Sequence, residues 1–192
     1  MNLKNYIVTI SNILPKEEYE ELIYYCKTTD DFIRSSAKSD IESTAHQNGS
    51  RCSVNLSHTH NRIRDLLCKS FFEALDKSKN VYGYLLPDNY YTKVSGYSLL
   101  KYEKDDYLSK HSDFDAESGS LTMSYNINDD YVGGELAFWG DYIIPTEKNS
   151  MHVFPSCFLY PHEIKPVIEG NRYSAITWFG YEKMNMGIDI NN

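Results

Sequence analysis

Leu121-Thr-Met-Ser-Tyr-Asn-Ile127 alternates residue by residue between large apolar and small polar side chains. Successive side chains of an extended backbone point to opposite faces. In a strand over 119–127, Leu121, Met123, Tyr125 and Ile127 therefore share one face, and Ser120, Thr122, Ser124 and Asn126 the other. The apolar face must pack against something, while the polar face meets solvent or lines a wet cavity. On both sides of this stretch the grammar is the same. Candidate strands fall at 93–102, 134–139, 141–144, 150–154, 158–166 and 172–181, broken by Asp105-Asp106, Gly133-Gly134, Pro145, Pro155 and Gly170-Asn171. Short runs at such spacing, punctuated by turn residues, predict a sandwich or barrel from residue 91 onward.

The half before it reads differently. Pro15 can open a helix, and Tyr19, Leu22, Ile23 and Cys26 recur at i, i+3, i+4 and i+7 as one apolar stripe. A second helix is predicted from about Asn61 to Lys77, with Ile63, Leu66, Leu67, Phe71 and Leu75 on one side. Between them, residues 28–50 are polar and without a sustained period, so they are expected to form a mobile loop containing at most brief structure. With 192 residues the chain fits one domain, divided into a helical lead-in (1–90), a β core (91–182) and a tail (183–192). The expected class is β-rich α+β, with the helices packed on one sheet.

The chain has 19 basic against 27 acidic residues, a net charge of −8, which disfavours nucleic acid as a partner. No run approaches the ~20 apolar residues of a membrane span. Cys26, Cys52, Cys68 and Cys157 lie far apart without a Cys-x-x-Cys pair, which predicts free thiols in a reducing compartment, the cytoplasm.

The chemistry-bearing pattern is His111-Ser-Asp113. In extended backbone these two side chains project to the same face and can converge on one ion. Candidates for a third ligand are His162, His152 and the His58/His60 pair. Two histidines and a carboxylate with open positions form the facial triad of non-haem Fe(II) oxygenases, whereas a structural zinc site takes four closed ligands. Farther on, Arg172 and Ser174 share one strand face, where Arg can grip a carboxylate through a two-pronged fork.

Taken in order, these pieces resemble a known family. They are Tyr102-x-x-x-Asp106-x-Leu108-x-x-His111-x-Asp113; Asn128-Asp-Asp-Tyr-Val-Gly133-Gly134-Glu135-Leu136-x-Phe138; Val153-Phe154-Pro155-Ser156; His162-Glu-Ile-x-Pro166-Val167; and Gly170-x-Arg172-Tyr-Ser-x-x-x-Trp178. The stretch resembles the Fe(II)/2-oxoglutarate-dependent dioxygenases, in the branch that contains the prolyl 4-hydroxylases. The resemblance implies a double-stranded β-helix, a jelly-roll barrel holding Fe(II) on His111, Asp113 and His162. It implies 2-oxoglutarate bound at its distal carboxylate by Arg172 with Ser174, touched by Tyr102, and lined by the polar face that includes Asn126. It makes His152 a packed strand residue. It further implies O2 as cosubstrate, ascorbate as reductant, and hydroxylation of a protein or peptide side chain, or of a small molecule, coupled to conversion of 2-oxoglutarate to succinate and CO2; the alternative reading is a catalytically silent metal-binding jelly-roll scaffold. Two departures stand out: Asn126-Ile127-Asn128 where the family has Tyr-Leu-Asn, and Asp105 at a position often held by glycine.

Overall fold

In a computed structural model of the chain, the described residues are 2–37, 49–54, 56, 60–82, 93–94, 97–113 and 121–180. After a short 3-10 turn, the elements are β1 (Val8–Ser11), α1 (Lys16–Thr28), β2 (Ile33–Ala37), β3 (Gly49–Val54) and α2 (Asn61–Tyr82). The β half continues with β4 (Lys93–Val94), β5 (Ser98–Tyr102), β6 (Tyr107–His111), β7 (Leu121–Asn126), β8 (Val132–Gly133), β9 (Leu136–Phe138) and β10 (Tyr142–Ile143). It ends with β11 (Ser150–Pro155), β12 (His162–Ile164), β13 (Val167–Glu169) and β14 (Arg172–Gly180).

Ten strands run as one antiparallel ribbon in the order β1-β11-β7-β14-β5-β3-β6-β12-β9-β10, with β2 added to β3 and β4 to β14; β13 and β8 pair separately. The ribbon curls into a double-stranded β-helix, which gives two apolar cores. On the convex side, Leu121, Met123, Tyr125 and Ile127 meet Leu22 and Cys26 of α1 and Leu66, Leu67 and Phe71 of α2. Inside the curl, Leu100, Tyr102, Leu108, Phe138, Phe154 and Ile164 form the second cluster. The alternation of β7 thus sets the helices on one face and the barrel interior on the other.

Both helices form where the apolar stripes place them. Glu17 and Glu18 in the first turn of α1 and Lys27 in its last complement the helix dipole. α2 runs one turn beyond the expected Lys77, because Ser78 and Tyr82 continue the buried face and the Tyr82 hydroxyl donates to the carbonyls of Tyr6 and Val153.

Several elements depart from the sequence expectation. The polar stretch 28–50 was expected to be a loop, but it contributes β2 and the start of β3, while 38–48 lies outside the described residues. This hairpin needs no apolar core of its own. It is held by ladder hydrogen bonds and by a polar clasp in which Arg34 pairs with Glu103 and Asp106, and Ser50 donates to Asp106. β6 was also unforeseen, since its five residues carry no period of two, with Leu108 and His111 buried three positions apart. The expected strand 158–166 shrinks to His162–Ile164, because residues 157–160 close a turn with the Tyr160 amide donating to the Cys157 carbonyl. Asp105 sits at φ +70°, the left-handed conformation for which its family position often uses glycine. The expectations for Ser120, His58 and the tail from 183 fall outside the described residues.

Candidate active site

β6 and β12 bring the two histidines together, since His162 and His111 are opposed Cα partners in the antiparallel ladder. Asp113 follows β6 by two residues and turns in between them. His111 Nε2 lies 3.3 Å from Asp113 Oδ1 and His162 Nε2 lies 3.5 Å from Oδ2. One ligand atom from each of the three lies within 4.8 Å of the others. Each ring uses its other nitrogen on the backbone two residues upstream: His111 Nδ1 is 2.8 Å from the Ser109 carbonyl and His162 Nδ1 is 3.1 Å from the Tyr160 carbonyl. A carbonyl can only accept, so Nδ1 carries the proton and both Nε2 lone pairs face the centre.

The polar face of β7 supplies the next layer. Thr122 donates to Asp113 Oδ2 at 2.6 Å and lies 2.9 Å from the Ser156 hydroxyl. Burial alone would raise the Asp113 pKa, but the adjoining His111 and His162 side chains and the Thr122 donor outweigh it and hold the carboxyl at about 2. Burial pushes His162 down to about 4, against the pull of Asp113. The Nδ1 anchors thus leave two Nε2 lone pairs beside a carboxylate, the donor set that fits a divalent cation with vacant positions.

Arg172 opens β14 opposite Tyr102, and its guanidinium lies over the Tyr102 ring, 5.2 Å from the centroid. It is 2% exposed, donates to Ser174 Oγ at 2.7 Å, and leaves Nε buried without a hydrogen-bond partner. A cation this deep costs several kcal/mol of desolvation unless an anion reaches it. Gly134 (φ +65°) makes room for its stem, as a Cβ there would stand 3.2 Å from Arg172 Cδ. The triad, Tyr102, Ser124, Arg172 and Ser174 all line one cavity of about 580 Å3 including its mouth, with Arg51 and Trp178 also in its wall. A dicarboxylate that reaches from the metal ligands to Arg172 fits this layout.

Asn126 departs from the role expected for it. Its amide donates to the carbonyls of Asn128 and Glu147 and accepts from the Tyr131 hydroxyl, so its hydrogen bonds fasten the loop after β7, and it is not among the cavity-lining residues. His152 is a packed strand residue on β11, with Nδ1 3.1 Å from Thr9 Oγ1, and burial followed by the charge of Arg172 depresses its pKa to about 4. His60 lies at the surface with Nε2 2.9 Å from Asp31. Two cavity features were missed from sequence. Arg51 lay at the edge of a stretch read as a loop, and the Thr122–Asp113 bond joins a residue of β7 to one just past the end of β6.

Residues 97–180 match the family model described as the 2OG-Fe(II) oxygenase superfamily. No curated protein sequence matches the chain. Among solved structures, it is similar to a prolyl hydroxylase from Trichoplax adhaerens in complex with a hypoxia inducible factor peptide fragment (17% identity, 93% of this chain and 85% of that one, TM-score 0.69). A Pseudomonas putida prolyl-4-hydroxylase is also similar (15% identity, 92% and 93% covered, TM-score 0.65). So is the viral collagen prolyl hydroxylase of Paramecium Bursaria Chlorella virus-1 (18%, 91% and 95%, TM-score 0.57). At these identities the likeness is one of fold, and the family match brings with it Fe(II) and 2-oxoglutarate. Residues 97–180 thus resemble the 2OG-Fe(II) oxygenase superfamily, which supports a 2-oxoglutarate-dependent dioxygenase, and the chain has the double-stranded β-helix fold of the prolyl hydroxylases.

Proposed function

We propose that this protein hydroxylates a side chain of a protein or peptide, prolyl in the first instance, at a centre held by His111, Asp113 and His162. Fe(II) and 2-oxoglutarate, when bound, supply the oxidation: one atom of O2 enters the substrate C–H bond and the other enters succinate, with release of CO2. The protein's own contribution is positional. The two carbonyl-anchored imidazoles keep Nε2 directed inward, and Thr122 fixes Asp113. Arg172, with Ser174 and Tyr102, receives the distal carboxylate of 2-oxoglutarate. Leu100, Leu108, Leu136, Phe154 and Ile164 wall the cavity and exclude water.

The observation that carries this reading is the buried Arg172, with an unpartnered Nε, in the same cavity as three convergent ligand atoms. The choice of a peptide substrate is supported by the likeness to the Trichoplax protein, whose structure holds a peptide. We assign ascorbate the role of keeping the iron reduced. The test is an anaerobic titration with Fe(II) and then 2-oxoglutarate. A weak visible charge-transfer band that is lost in His162→Ala supports the assignment; iron binding with no band overturns it. Mass spectrometry of peptides after aerobic incubation then reads oxygen insertion directly.

A further inference from the structure

One buried imidazole beside the cavity is not a metal ligand. On β11, Met151 and Val153 flank His152 and join the helix-facing core. The period of two therefore turns His152 the other way, into the barrel with Phe154, which lines the cavity. The ring is 3% exposed. Its Nδ1 is 3.1 Å from Thr9 Oγ1 on the neighbouring β1, and among the described residues its Nε2 has no hydrogen-bond partner. Buried polar atoms are as a rule hydrogen-bonded, so a bare ring nitrogen at this depth points to a ligand.

The ladder places this ring along the cavity. Three inward-facing rows cross β11, β7 and β14: Phe154 with Thr122 and Trp178, His152 with Ser124 and Ile176, and Ser150 with Asn126 and Ser174. The first row holds the metal end, since Thr122 donates to Asp113. The third holds the arginine end, since Arg172 donates to Ser174. A dicarboxylate that spans the two ends crosses the middle row, where Ser124 and Ile176 line the cavity and His152 stands next to Ser124. Burial, with the charge of Arg172 added to it, holds the ring neutral with a pKa of about 4. A neutral imidazole carries one N–H and one lone pair. When the Thr9 hydroxyl donates to Nδ1, the proton sits on Nε2.

We propose that His152 is a further binding residue for the cosubstrate, whose Nε2–H donates to the distal carboxylate of 2-oxoglutarate beside the Arg172 fork. This rests on the reading that 2-oxoglutarate occupies the cavity with that carboxylate at Arg172. A carboxylate offers roughly four acceptor positions. The fork of Arg172 fills two and the Ser174 hydroxyl a third. Asn126 spends its amide on loop carbonyls and on Tyr131. His152 supplies the remaining donor, and the carboxylate selects the tautomer in which Thr9 donates.

The test compares two oxo acids on the Fe(II)-loaded protein without O2. One is 2-oxoglutarate; the other is 2-oxopentanoate, which has a methyl group in place of the distal carboxylate. Affinity is read from the charge-transfer band. His152→Leu is expected to weaken 2-oxoglutarate about tenfold, the worth of one hydrogen bond, and to leave 2-oxopentanoate and Fe(II) affinities unchanged. His152→Gln, which keeps an N–H near the place of Nε2, should recover most of the loss. Unchanged 2-oxoglutarate affinity in His152→Leu, or equal weakening of both acids, makes the residue structural and overturns the inference while the cosubstrate reading stands. A native protein that gives the band with neither acid overturns both. A measurement on the native protein keeps the question open to decision if the variants fail to fold. With Zn(II) in place of Fe(II) and histidine labelled with 15N, the His152 Nε2 resonance should shift on addition of 2-oxoglutarate and stay in place with 2-oxopentanoate. A resonance that responds to neither acid, or equally to both, overturns the inference.

Discussion

His111 and His162 are opposed in the β6–β12 ladder and solve the same problem in the same way, each hydrogen-bonding through Nδ1 to the carbonyl two residues before it. Register thus sets the separation of the two Nε2 atoms, and the backbone sets their tautomer. Replacing either ring by alanine is expected to abolish 2-oxoglutarate turnover, with the circular dichroism spectrum retained because the barrel ladder is untouched. Full succinate production in His111→Ala is the result that would sink the assignment.

Thr122→Val keeps the shape of the side chain and removes the donor to Asp113 Oδ2. Loss of such an orienting partner weakens metal binding by about 10–100-fold. Anaerobic Fe(II) titration of this variant should show the weakening; native affinity would mean that Asp113 is held by its other neighbours alone.

Arg172→Ala should raise the 2-oxoglutarate concentration needed for half-maximal activity by about 100-fold, with far less effect on iron, because it deletes a buried charge-assisted pair. Arg172→Lys should recover part of the loss, as it restores the charge without the fork. Equal effects on cosubstrate and iron would make the residue structural.

Stability of the metal-free protein should fall on mild acidification. His152 and His162 each have a native pKa near 4, against 6.5 for the free side chain. Between those values the unfolded chain binds more protons, so each contributes stability that rises with pH and is lost as pH drops from 6.5 toward 4. The slope is at most about 1.4 kcal/mol per pH unit per group. Urea midpoints measured from pH 7 to 4.5 test this, and His152→Leu should flatten the curve; an unchanged slope would show that His152 titrates normally.

Asp106 is the anchor of the β2–β3 hairpin, since it accepts from Arg34, Ser50 and the Glu103 amide. Asp106→Ala should cost roughly 2 kcal/mol, as buried donors lose a charged acceptor while the half-exposed Arg34 returns to water. Chemical denaturation measures it, and a loss under 0.5 kcal/mol, about the limit for an inert surface change, would mean the clasp is incidental.

Periodicity and local spacing were legible before folding. The alternation from Leu121 to Ile127 separated a helix-facing side from a barrel-facing side, the stripes at Tyr19–Cys26 and Ile63–Leu75 placed both helices, and His111-x-Asp113 marked the site. Each is written within a few residues, because one strand or helix turn is enough to define a face. The remaining features depend on pairing between distant segments. The opposition of His162 to His111, the bond from Thr122 to Asp113 and the place of Arg51 in the cavity wall arise from pairing across a curled ribbon, which no local window contains. The polar hairpin β2–β3 was illegible for the same reason, since backbone ladders and the Arg34–Asp106 clasp hold it without a hydrophobic pattern to read. Asn126 shows the converse: its place in the alternation was plain, but partners at Asn128, Tyr131 and Glu147, known only once the chain has folded, settled how its amide is spent.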